Sequence, residues 1–460
     1  MLARSRRVGR LAIGVPLALA ILASAACGNG WASREPVATA GAAAALHATG
    51  SPVEWVWVGA LQPTSTVVKA RLRGALASSA RLAVAEDLGF ENVRHVDGEP
   101  GQTDPSVVTF TVDGLVPGRD YHYAVEVGSQ LQLPRAGHFT TPEEGPFSFT
   151  IALGACAQTG SNHPVFDEIR SASPLLFLHL GDFHYENVSS RDPDLYRRAY
   201  DRVLASSRQS ALFRSMATAY VWDDHDFTGN NSDRSTLGRV TARQVYREVV
   251  PHYPLAAGDG DQPIHQSFVL GRVLFVVTDT RSERTPHRFA DGPRKTMLGA
   301  AQKAWLFDRL DEAPRFGLVV WVNTLPWIAP PRPTADDWGG YAEERREIAE
   351  RIAERGITNL VMLSGDAHML AMDDGTNNGY AGEGKPGFPV LHSGALDRNG
   401  SVKGGPYSEG TFPGRGQYAL MRVEDEGGER IRVRWSGRRH GVGELVALEL
   451  EIQVPPTPRH

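Results

Sequence analysis

The sequence predicts an α/β protein with a smaller all-β domain ahead of it, and three patterns support this prediction. Short segments rich in β-branched and aromatic residues fill residues 51–142, and such a run is typical of a β-sandwich. After Pro142, apolar segments alternate with amphipathic helical segments, which is typical of an α/β domain. Successive apolar segments also end in residue types that bind metals. We therefore expect two domains, at residues 51–142 and 146–456.

The first 50 residues predict export and a tether. Four arginines precede an apolar stretch at residues 11–23, which is the layout of a signal peptide, here residues 1–26. Residues 5–7 partly match a twin-arginine signal, and the segment ending in Cys27 resembles a bacterial lipoprotein cleavage box. Residues 27–50 are rich in Ala, Gly and Thr and are interpreted as a tether. The expected location is extracytoplasmic, either released or anchored to the membrane through a lipid on Cys27.

The charge composition limits the partners. The chain has 48 Lys plus Arg against 53 Asp plus Glu, for a formal net charge of -5. No broad positive field is therefore expected to attract nucleic acid or an anionic membrane surface. Any attraction for an anionic ligand has to come from local groups, and apart from the lipid anchor at Cys27 no membrane contact is expected. The sequence leaves the oligomeric state open.

Periodicity predicts the individual elements. Strands are predicted at residues 53–58, 66–72, 107–112, 121–125, 418–423, 431–435 and 445–453. Helical spacing of apolar residues predicts helices at residues 195–213, 240–250, 300–310 and 341–355. Leu115, Pro117, Gly118, Tyr121 and Tyr123 resemble the tyrosine-corner strand of a fibronectin type III domain. The first domain is therefore interpreted as a fibronectin type III-like sandwich.

Six apolar segments run directly into polar residues suited to binding ions. These residues are Cys156; Asp182 and Tyr185; Asp223, Asp224, His225 and Asp226; Asp279 and Arg281; Asn323; and Asp366 and His368. Ligands bind outside the carboxyl ends of strands in open α/β sheets, so we expect these groups to converge. Residues 223–226 have a solvated acidic turn as the alternative. For Cys156 the alternatives are a buried apolar thiol or a disulfide with Cys27, but its strand-end position favours a metal ligand.

Five segments occur in a fixed order between residues 147 and 392. They read GDFHYE at 181–186, WDDHD at 222–226 followed by NN at 230–231, DTR at 279–281, LGAAQKAWL at 298–306 and GDAH at 365–368. In this order they resemble the PhoD-like alkaline phosphatases. The resemblance implies a metallophosphoesterase sandwich of two β-sheets flanked by helices. It further implies iron and calcium as metals and phosphomonoesters or phosphodiesters as substrates.

The resemblance also implies a set of metal ligands. Ferric iron would be bound by Cys156, Asp182, Tyr185 and His368, with Asp182 bridging to calcium. Thiolate and phenolate are anionic, strongly donating ligands that suit a high-charge iron. Calcium would be held by the oxygens of Asp224 and Asp366, since it is a hard cation, with Asn231 and Asn323 as further candidate donors.

Three residues are candidates for catalysis. His225 would lie beside the phosphate and stabilise charge or protonate the leaving alkoxide, and Asp226 would raise its basicity and orient its ring. Arg281 is the candidate phosphate clamp because its planar fork matches two phosphate oxygens, with a surface salt bridge as the alternative. Asp226 and Ala155 depart from the family pattern. His184 does so too, and we interpret it as an outward-facing residue.

The expected function is that of an exported phosphoesterase that acts through a metal-bound hydroxide. This mechanism needs no Ser or Cys nucleophile, so Cys156 is not expected to attack the substrate. Two alternatives stay open. One is a phosphodiesterase or phospholipase-type enzyme on teichoic acid or lipid headgroups, and the other is an inactive cell-surface binding protein.

Overall fold

The N-terminal part of the described chain is all-β. The computed structural model describes residues 50–74 and 79–456, so the predicted signal peptide and nearly all of the tether lie outside the described residues. The strands of this part are β1 (Val53–Gly59), β2 (Thr66–Leu72), β3 (Arg81–Ala85), β4 (Arg94–Asp97), β5 (Glu99–Pro100), β6 (Val107–Val112), β7 (Asp120–Val127), β8 (Gln130–Leu131) and β9 (Gly137–Thr140). They form antiparallel sheets in the orders β1-β2-β6-β5 and β4-β3-β7-β8, and β9 pairs with β7.

Strand β1 is buried along nearly its whole length because it is covered on both faces. The indole of Trp55 donates to Asp201 Oδ1 at 2.7 Å, and that of Trp57 donates to the Val249 carbonyl at 3.0 Å. Both indoles have a relative exposure of 0%. An ordinary sandwich strand alternates between buried and exposed residues, whereas β1 packs against the helical part of the molecule with its second face. The all-β region is therefore firmly joined to the rest of the chain.

Two larger mixed sheets form the body of the molecule. The first contains β10 (Phe149–Gly154), β11 (Leu176–His179), β12 (Ala217–Tyr220), β20 (Gln417–Glu424), β21 (Arg430–Arg439) and β22 (Gly443–Gln453). The second contains β13 (Gln266–Leu270), β14 (Val273–Val277), β15 (Leu318–Val322), β16 (Leu360–Ser364), β17 (Met369–Asp373), β18 (Val390–His392) and β19 (Thr411–Pro413). Their strand orders are β12-β11-β10-β20-β21-β22 and β13-β14-β15-β16-β18-β17-β19. Strands β10 to β12 run parallel, as do β14, β15, β16 and β18.

The helices flank these sheets. They are α1 (Val165–Ser171), α2 (Pro193–Leu204), α3 (Ser207–Ser215), α4 (Asp224–Phe227), α5 (Arg239–Val249), α6 (Ala300–Asp311) and α7 (Ala342–Glu354). Strand β15 shows the layering. Val320 and Val322 belong to the core between the sheets, whereas Val319 and Trp321 pack in a second core with the apolar residues of α6 and α7. The predicted α/β class with sheets flanked by helices is confirmed.

The prediction of one continuous helix at residues 195–213 is wrong. The structure has two helices there, and Ser206 between them has extended backbone angles of φ −65° and ψ 148°. The Ser206 hydroxyl donates to the Val203 carbonyl at 2.7 Å. Serine hydroxyls compete in this way for the carbonyls of a helix, and apolar spacing does not detect that competition. Among the described residues, no helix is both long enough and apolar enough to cross a membrane.

Candidate metal centre

The predicted ligands lie on loops that leave the carboxyl ends of β10, β11, β12 and β16. The parallel register aligns Gly154 of β10 with His179 of β11, and His179 with Tyr220 of β12. The loops then pack directly on one another. A Cβ on Gly181 would lie 2.5 Å from the Asp223 Cβ, and one on Gly365 would lie 2.6 Å from the Leu180 carbonyl oxygen. Glycine at position 181 lets two loops of the first sheet pack together, and glycine at position 365 lets a loop of the second sheet pack on the first.

Four of the predicted ligands form one cluster. Asp182 Oδ2 lies 3.5 Å from the Cys156 Sγ and accepts a hydrogen bond of 2.6 Å from the Tyr185 hydroxyl. The Tyr185 hydroxyl lies 3.2 Å from His368 Nε2. Ligand atoms of Cys156, Asp182 and His368 are all within 4.8 Å of one another. The second ring nitrogen of His368, Nδ1, lies 2.7 Å from the Asn399 carbonyl, which leaves Nε2 directed at the cluster.

Asp182 also belongs to a second group. One ligand atom each from Asp182, Asp224 and His225 lie within 4.8 Å of one another. Asp224 Oδ2 accepts a hydrogen bond of 2.7 Å from the Asn231 backbone N–H, whereas the buried Asp224 Oδ1 has no hydrogen-bond partner among the described residues. A buried, unpaired carboxylate oxygen is unfavourable unless a cation or water satisfies it.

The electrostatics of the cluster favour a cation. Burial, reinforced by the carboxylates of Asp224 and Asp223, raises the pKa of Asp182 well above its ordinary value. Burial and the carboxylates of Asp182 and Asp366 raise the pKa of the Cys156 thiol, and burial with Asp182 raises the pKa of Tyr185. These groups cannot all be anions beside one another unless positive charge compensates them. A sulfur, a phenol, an imidazole and carboxylates form a donor set that fits a high-charge metal ion.

The ligand loops share an uncommon backbone conformation. Cys156, Asp182 and Asp366 have φ angles of 59°, 57° and 68°, and Asn231 has 56°. Positive φ is uncommon for residues with a side chain, and such residues cluster at functional sites. Cys156, Asp182 and Asp366 each lie within three residues of the end of a strand, so the chain turns sharply there at the end of the sheet.

His225 is held by Asn187, not by Asp226. The His225 Nδ1 lies 2.6 Å from Asn187 Oδ1, and the imidazole packs on the Tyr185 ring at a centroid distance of 4.1 Å. Because an amide oxygen only accepts, Nδ1 carries the proton and Nε2 keeps its lone pair. Nε2 lies 3.9 Å from Asp224 Oδ1, and 19% of the side chain is exposed. Burial lowers the pKa of His225, and Asp224 opposes that effect.

The prediction that Asp226 orients the His225 ring is therefore wrong. The Asp226 carboxylate accepts hydrogen bonds from the Tyr220 hydroxyl at 2.6 Å, the Phe183 N–H at 2.8 Å and the Asp223 N–H at 2.7 Å. It forms a capping box with Asp223 at the start of α4. Its function in the fold is to tie the loop after β11 to the loop after β12.

Arg281 is buried beneath the cluster and does not face a substrate. Its guanidinium donates to both carboxylate oxygens of Asp223 at 2.6 and 2.9 Å and to those of Asp336 at 3.2 and 3.0 Å. Its relative exposure is 0%. Burial alone would lower the pKa of Arg281, but Asp223 and Asp336 hold it well above its ordinary value. The structure thus corrects both the phosphate-clamp prediction and its surface salt-bridge alternative.

The two predicted asparagine donors differ. The Asn323 amide is buried, with its oxygen accepting from the Trp338 indole at 2.9 Å and its nitrogen donating to the Leu325 carbonyl at 2.5 Å. Both ends of this amide are used inside the core, so the structure counts against Asn323 as a calcium ligand. Asn231 is half-buried beside Asp224, and its role as an oxygen donor stays a prediction.

Several residues that the sequence reasoning missed adjoin the cluster. Lys403 donates to both carboxylate oxygens of Asp366, at 2.7 and 2.9 Å. The Arg398 guanidinium lies 4.0 Å from the centroid of the Tyr185 ring. Asn187, Asp336, Arg398 and Lys403 all lie on loops with no apolar period, so the sequence contained no strong signal for them.

His184 is buried, which contradicts its interpretation as an outward-facing residue. Its ring packs edge-on against Tyr200 at a centroid distance of 5.4 Å, and neither of its ring nitrogens has a hydrogen-bond partner among the described residues. Burial lowers the pKa of His184 to about 3. A neutral imidazole in this position is a packing residue. Its aromatic neighbour Tyr200 comes from α2, which the local sequence around His184 does not reveal.

The fold and the cluster together define an α/β protein with a metal-binding site at the ends of its parallel strands. A family model described as PhoD-like phosphatase matches residues 151–401. The chain belongs to the PhoD-like phosphatase family. The resemblance noted in the sequence is thereby confirmed, and the family-matched residues contain all of the cluster described above.

Two individual proteins are similar to this chain. Alkaline phosphatase D of Bacillus subtilis (strain 168) is 25% identical over 336 residues, which are 62% of this chain and 57% of that protein. The chain thus matches less than two thirds of this curated relative's length. A solved structure of PhoD superposes with a TM-score of 0.72 at 20% identity and covers 88% of this chain and 91% of that one. This second likeness shows the fold.

Proposed function

We propose that this chain is an exported, metal-dependent phosphoesterase of the alkaline phosphatase D type that hydrolyses phosphomonoesters, phosphodiesters or both. The observation that supports this proposal is the meeting of Cys156, Asp182, Tyr185 and His368 around one position, with Asp182 shared with Asp224 and His225. Family membership supplies the phosphate-ester chemistry. Export rests on the signal-like residues 1–26, with residues 27–50 as a tether and Cys27 as the candidate lipidation site.

The proposed metals are ferric iron and calcium. Iron would be held by Cys156, Asp182, Tyr185 and His368, because sulfur and phenolate donors suit it. Calcium would be held by oxygens of Asp182, Asp224 and Asp366, with Asn231 as a further donor. When bound, these cations lower the pKa of water and neutralise charge on the transferred phosphoryl group.

His225 performs the proton chemistry in this proposal. Its Nδ1–H is held by Asn187, so its Nε2 faces the carboxylate group and the solvent. The Nε2 lone pair can take a proton from solvent and pass it to the leaving alkoxide, and the hydrogen bond to Asn187 keeps the ring in the same orientation in both states. Lys403 and Arg281 neutralise Asp366 and Asp223, which limits the repulsion that the carboxylates exert on an anionic substrate.

We also propose that residues 51–142 form a fibronectin type III-like domain and residues 146–456 the phosphatase domain. The Tyr121 hydroxyl accepts a hydrogen bond of 2.9 Å from the Val116 N–H, which is the contact expected of a tyrosine corner. The extensive contact of β1 with the helical part supports a packing role for this domain. A direct part in catalysis is not proposed for it.

The test combines metal analysis of the purified protein with hydrolysis of mono- and bis-(nitrophenyl) phosphate. We expect bound iron and calcium and turnover of at least one ester. Preference for the bis ester would favour the phosphodiesterase alternative, including teichoic acid or lipid headgroups as substrates. Bound metal without turnover of either ester would contradict the enzyme proposal and favour the inactive binding protein.

A further inference from the structure

Arg398 lies at the edge of the metal centre on the loop that follows β18. The carbon at the centre of its guanidinium is 4.0 Å from the centroid of the Tyr185 ring, and its Nη1 donates to Gln158 Oε1. Tyr185 in turn donates to Asp182. A guanidinium that stacks on an aromatic ring is held in one plane. Arg398 is therefore fixed against a residue of the cluster itself.

The cations around the centre differ in what they bind. Arg281 is paired with Asp223 and Asp336, and Arg284 also with Asp336. Lys403 is paired with Asp366, and Arg415 with Asp397. Within residues 50–74 and 79–456, Arg398 forms no ion pair, and its hydrogen-bond acceptor is the neutral amide of Gln158. It is thus a cation whose charge no described carboxylate neutralises.

A cavity beside Arg398 reaches one residue of the cluster. It has a volume of about 280 Å³ and is lined by Gln158, His368, Asp397, Arg398, Asn399 and Arg415. His368 brings the cavity to the cluster, because its Nε2 lies 3.2 Å from the Tyr185 hydroxyl. A group bound in this cavity would therefore meet the Arg398 guanidinium and one of the proposed metal ligands, His368.

The charge of Arg398 reaches both histidines of the centre. The Tyr185 ring on which Arg398 stacks also packs on the His225 imidazole at a centroid distance of 4.1 Å, and its hydroxyl lies 3.2 Å from His368 Nε2. An anion between these residues would be attracted by the same positive charge. The carboxylates of the cluster would otherwise repel it.

We propose that Arg398 binds the phosphate of the substrate, the role that the sequence assigned to Arg281. This inference rests on the proposed phosphoesterase function and adds a residue to it. The guanidinium fork can donate two hydrogen bonds to two phosphate oxygens. Its stacking on Tyr185 and its bond to Gln158 fix the direction of that fork without consuming its charge.

The test compares three variants loaded with iron and calcium. Arg398→Met removes the charge and keeps the length of the side chain, and Arg398→Lys restores the charge without the fork. Arg415→Met is the matched control, because Arg415 lines the same cavity but is already neutralised by Asp397. Binding of inorganic phosphate is measured by calorimetry, together with metal content and the KM and kcat for nitrophenyl phosphate.

We expect Arg398→Met to keep its metals and to bind inorganic phosphate about 10- to 100-fold more weakly, as loss of a charge-assisted hydrogen bond predicts. The KM should rise by a similar factor, and Arg398→Lys should recover part of the loss. Unchanged phosphate binding in Arg398→Met would overturn the proposal. An equal loss in Arg415→Met would also overturn it, since a general field and not a contact would then be responsible.

Failure of the proposed function would be visible separately. If the metal-loaded wild-type protein hydrolyses no phosphate ester, the enzyme proposal fails by that result alone. The phosphate-binding comparison requires no turnover, so Arg398 is judged on the difference between Arg398→Met and the wild-type protein in either case.

Discussion

Cys156 and Tyr185 are the two donors that set this centre apart from a site built only for magnesium or calcium. Hard divalent cations prefer oxygen ligands from carboxylates and carbonyls, whereas a thiolate and a phenolate stabilise a softer or more highly charged ion. Both side chains reach Asp182, at 3.5 and 2.6 Å. The identity of the bound metal is therefore expected to depend on them.

We predict that Cys156→Ser and Tyr185→Phe each lower iron occupancy and phosphoesterase activity together. Each change removes one anionic donor, the thiolate or the phenolate, while leaving the fold of its loop intact. Metal content by mass spectrometry and turnover of nitrophenyl phosphate are the measurements. Tyr407→Phe is the control, because the Tyr407 hydroxyl is buried without a hydrogen-bond partner among the described residues. Wild-type iron content in both ligand variants would refute the assignment.

His225 and Asn187 are in contact at 2.6 Å, and in the proposed mechanism His225 acts and Asn187 positions it. We predict that His225→Ala retains its metals and lowers kcat by about 100-fold or more, the usual contribution of a general acid or base. Asn187→Ala should lower kcat by a smaller factor, because the ring remains but loses its fixed orientation. Steady-state kinetics with parallel metal analysis would check both. A His225→Ala variant with wild-type kcat would remove His225 from the mechanism.

Sequence reasoning located most residues of the candidate metal centre because they follow apolar strands closely. Cys156, Asp182 and Asp366 each occupy the turn where a strand must end, and that place can be read from the sequence pattern. Arg281 occupies a similar place, yet its partner Asp336 lies 55 residues away in sequence. The distinction between a substrate contact and a buried ion pair depends on such a distant partner, so the sequence could not provide it.

At the scale of elements, the Arg281 network joins the ends of the two mixed sheets. Arg281 follows β14 of the second sheet, and Asp223 follows β12 of the first. The hydroxyl of Thr324, which follows β15, donates to Asp223 Oδ1 at 2.8 Å, and Arg281 Nε donates to the same oxygen. The ion pairs therefore hold the loops of both sheets in a fixed relation beneath the metal ligands.

We predict that Arg281→Met destabilises the fold by about 3–5 kcal/mol, because it leaves the buried carboxylates of Asp223 and Asp336 without their cation. Unfolding by denaturant, followed by circular dichroism, measures the free energy of unfolding. The control is Arg346→Met on α7, whose side chain is 50% exposed in an ion pair with Glu350. That pair should contribute less than about 1 kcal/mol. Equal effects of the two changes would contradict the structural role of Arg281.

Lys69 on β2 joins the all-β region to the C-terminal end of α5. Its ammonium donates to the carbonyls of Arg247 and Glu248 at 2.6 and 2.8 Å. These carbonyls belong to the last turn of the helix, where carbonyl groups lack partners within the helix. Burial lowers the pKa of Lys69 from its ordinary 10.5 to about 8, and the Glu248 carboxylate opposes that shift.

This shift predicts a pH-dependent stability. Between pH 8 and 10.5 the unfolded chain binds more protons at Lys69 than the folded chain does, so the free energy of unfolding rises with pH in that interval. The rise attributable to Lys69 is about 3 kcal/mol. In Lys69→Met this contribution is absent. The stability difference between wild type and variant, measured by denaturant unfolding from pH 7 to pH 10, should therefore increase in favour of the wild type. Parallel curves would contradict the prediction.

The whole molecule shows where pattern reasoning succeeds and where it does not. The strand periodicity that identified β1, β2, β6 and β7 depends on neighbouring residues alone, so it can be read locally. The break between α2 and α3 occurs where the Ser206 hydroxyl binds a helix carbonyl. Strands β5 and β8 have two residues each. Elements of that length carry no period. Their pairing is decided by contacts with strands far away in the chain.

The two tryptophans of β1 make the all-β region a structural part of the molecule and not an attached accessory. The indole N–H of Trp55 donates a hydrogen bond to Asp201, and that of Trp57 donates one to the Val249 carbonyl. A chimera that exchanged this region for an unrelated module would leave both acceptors without their hydrogen-bond donors. It would also expose the side of α3 and β12 that β1 covers. Any successful graft would have to reproduce those two indoles in the same register.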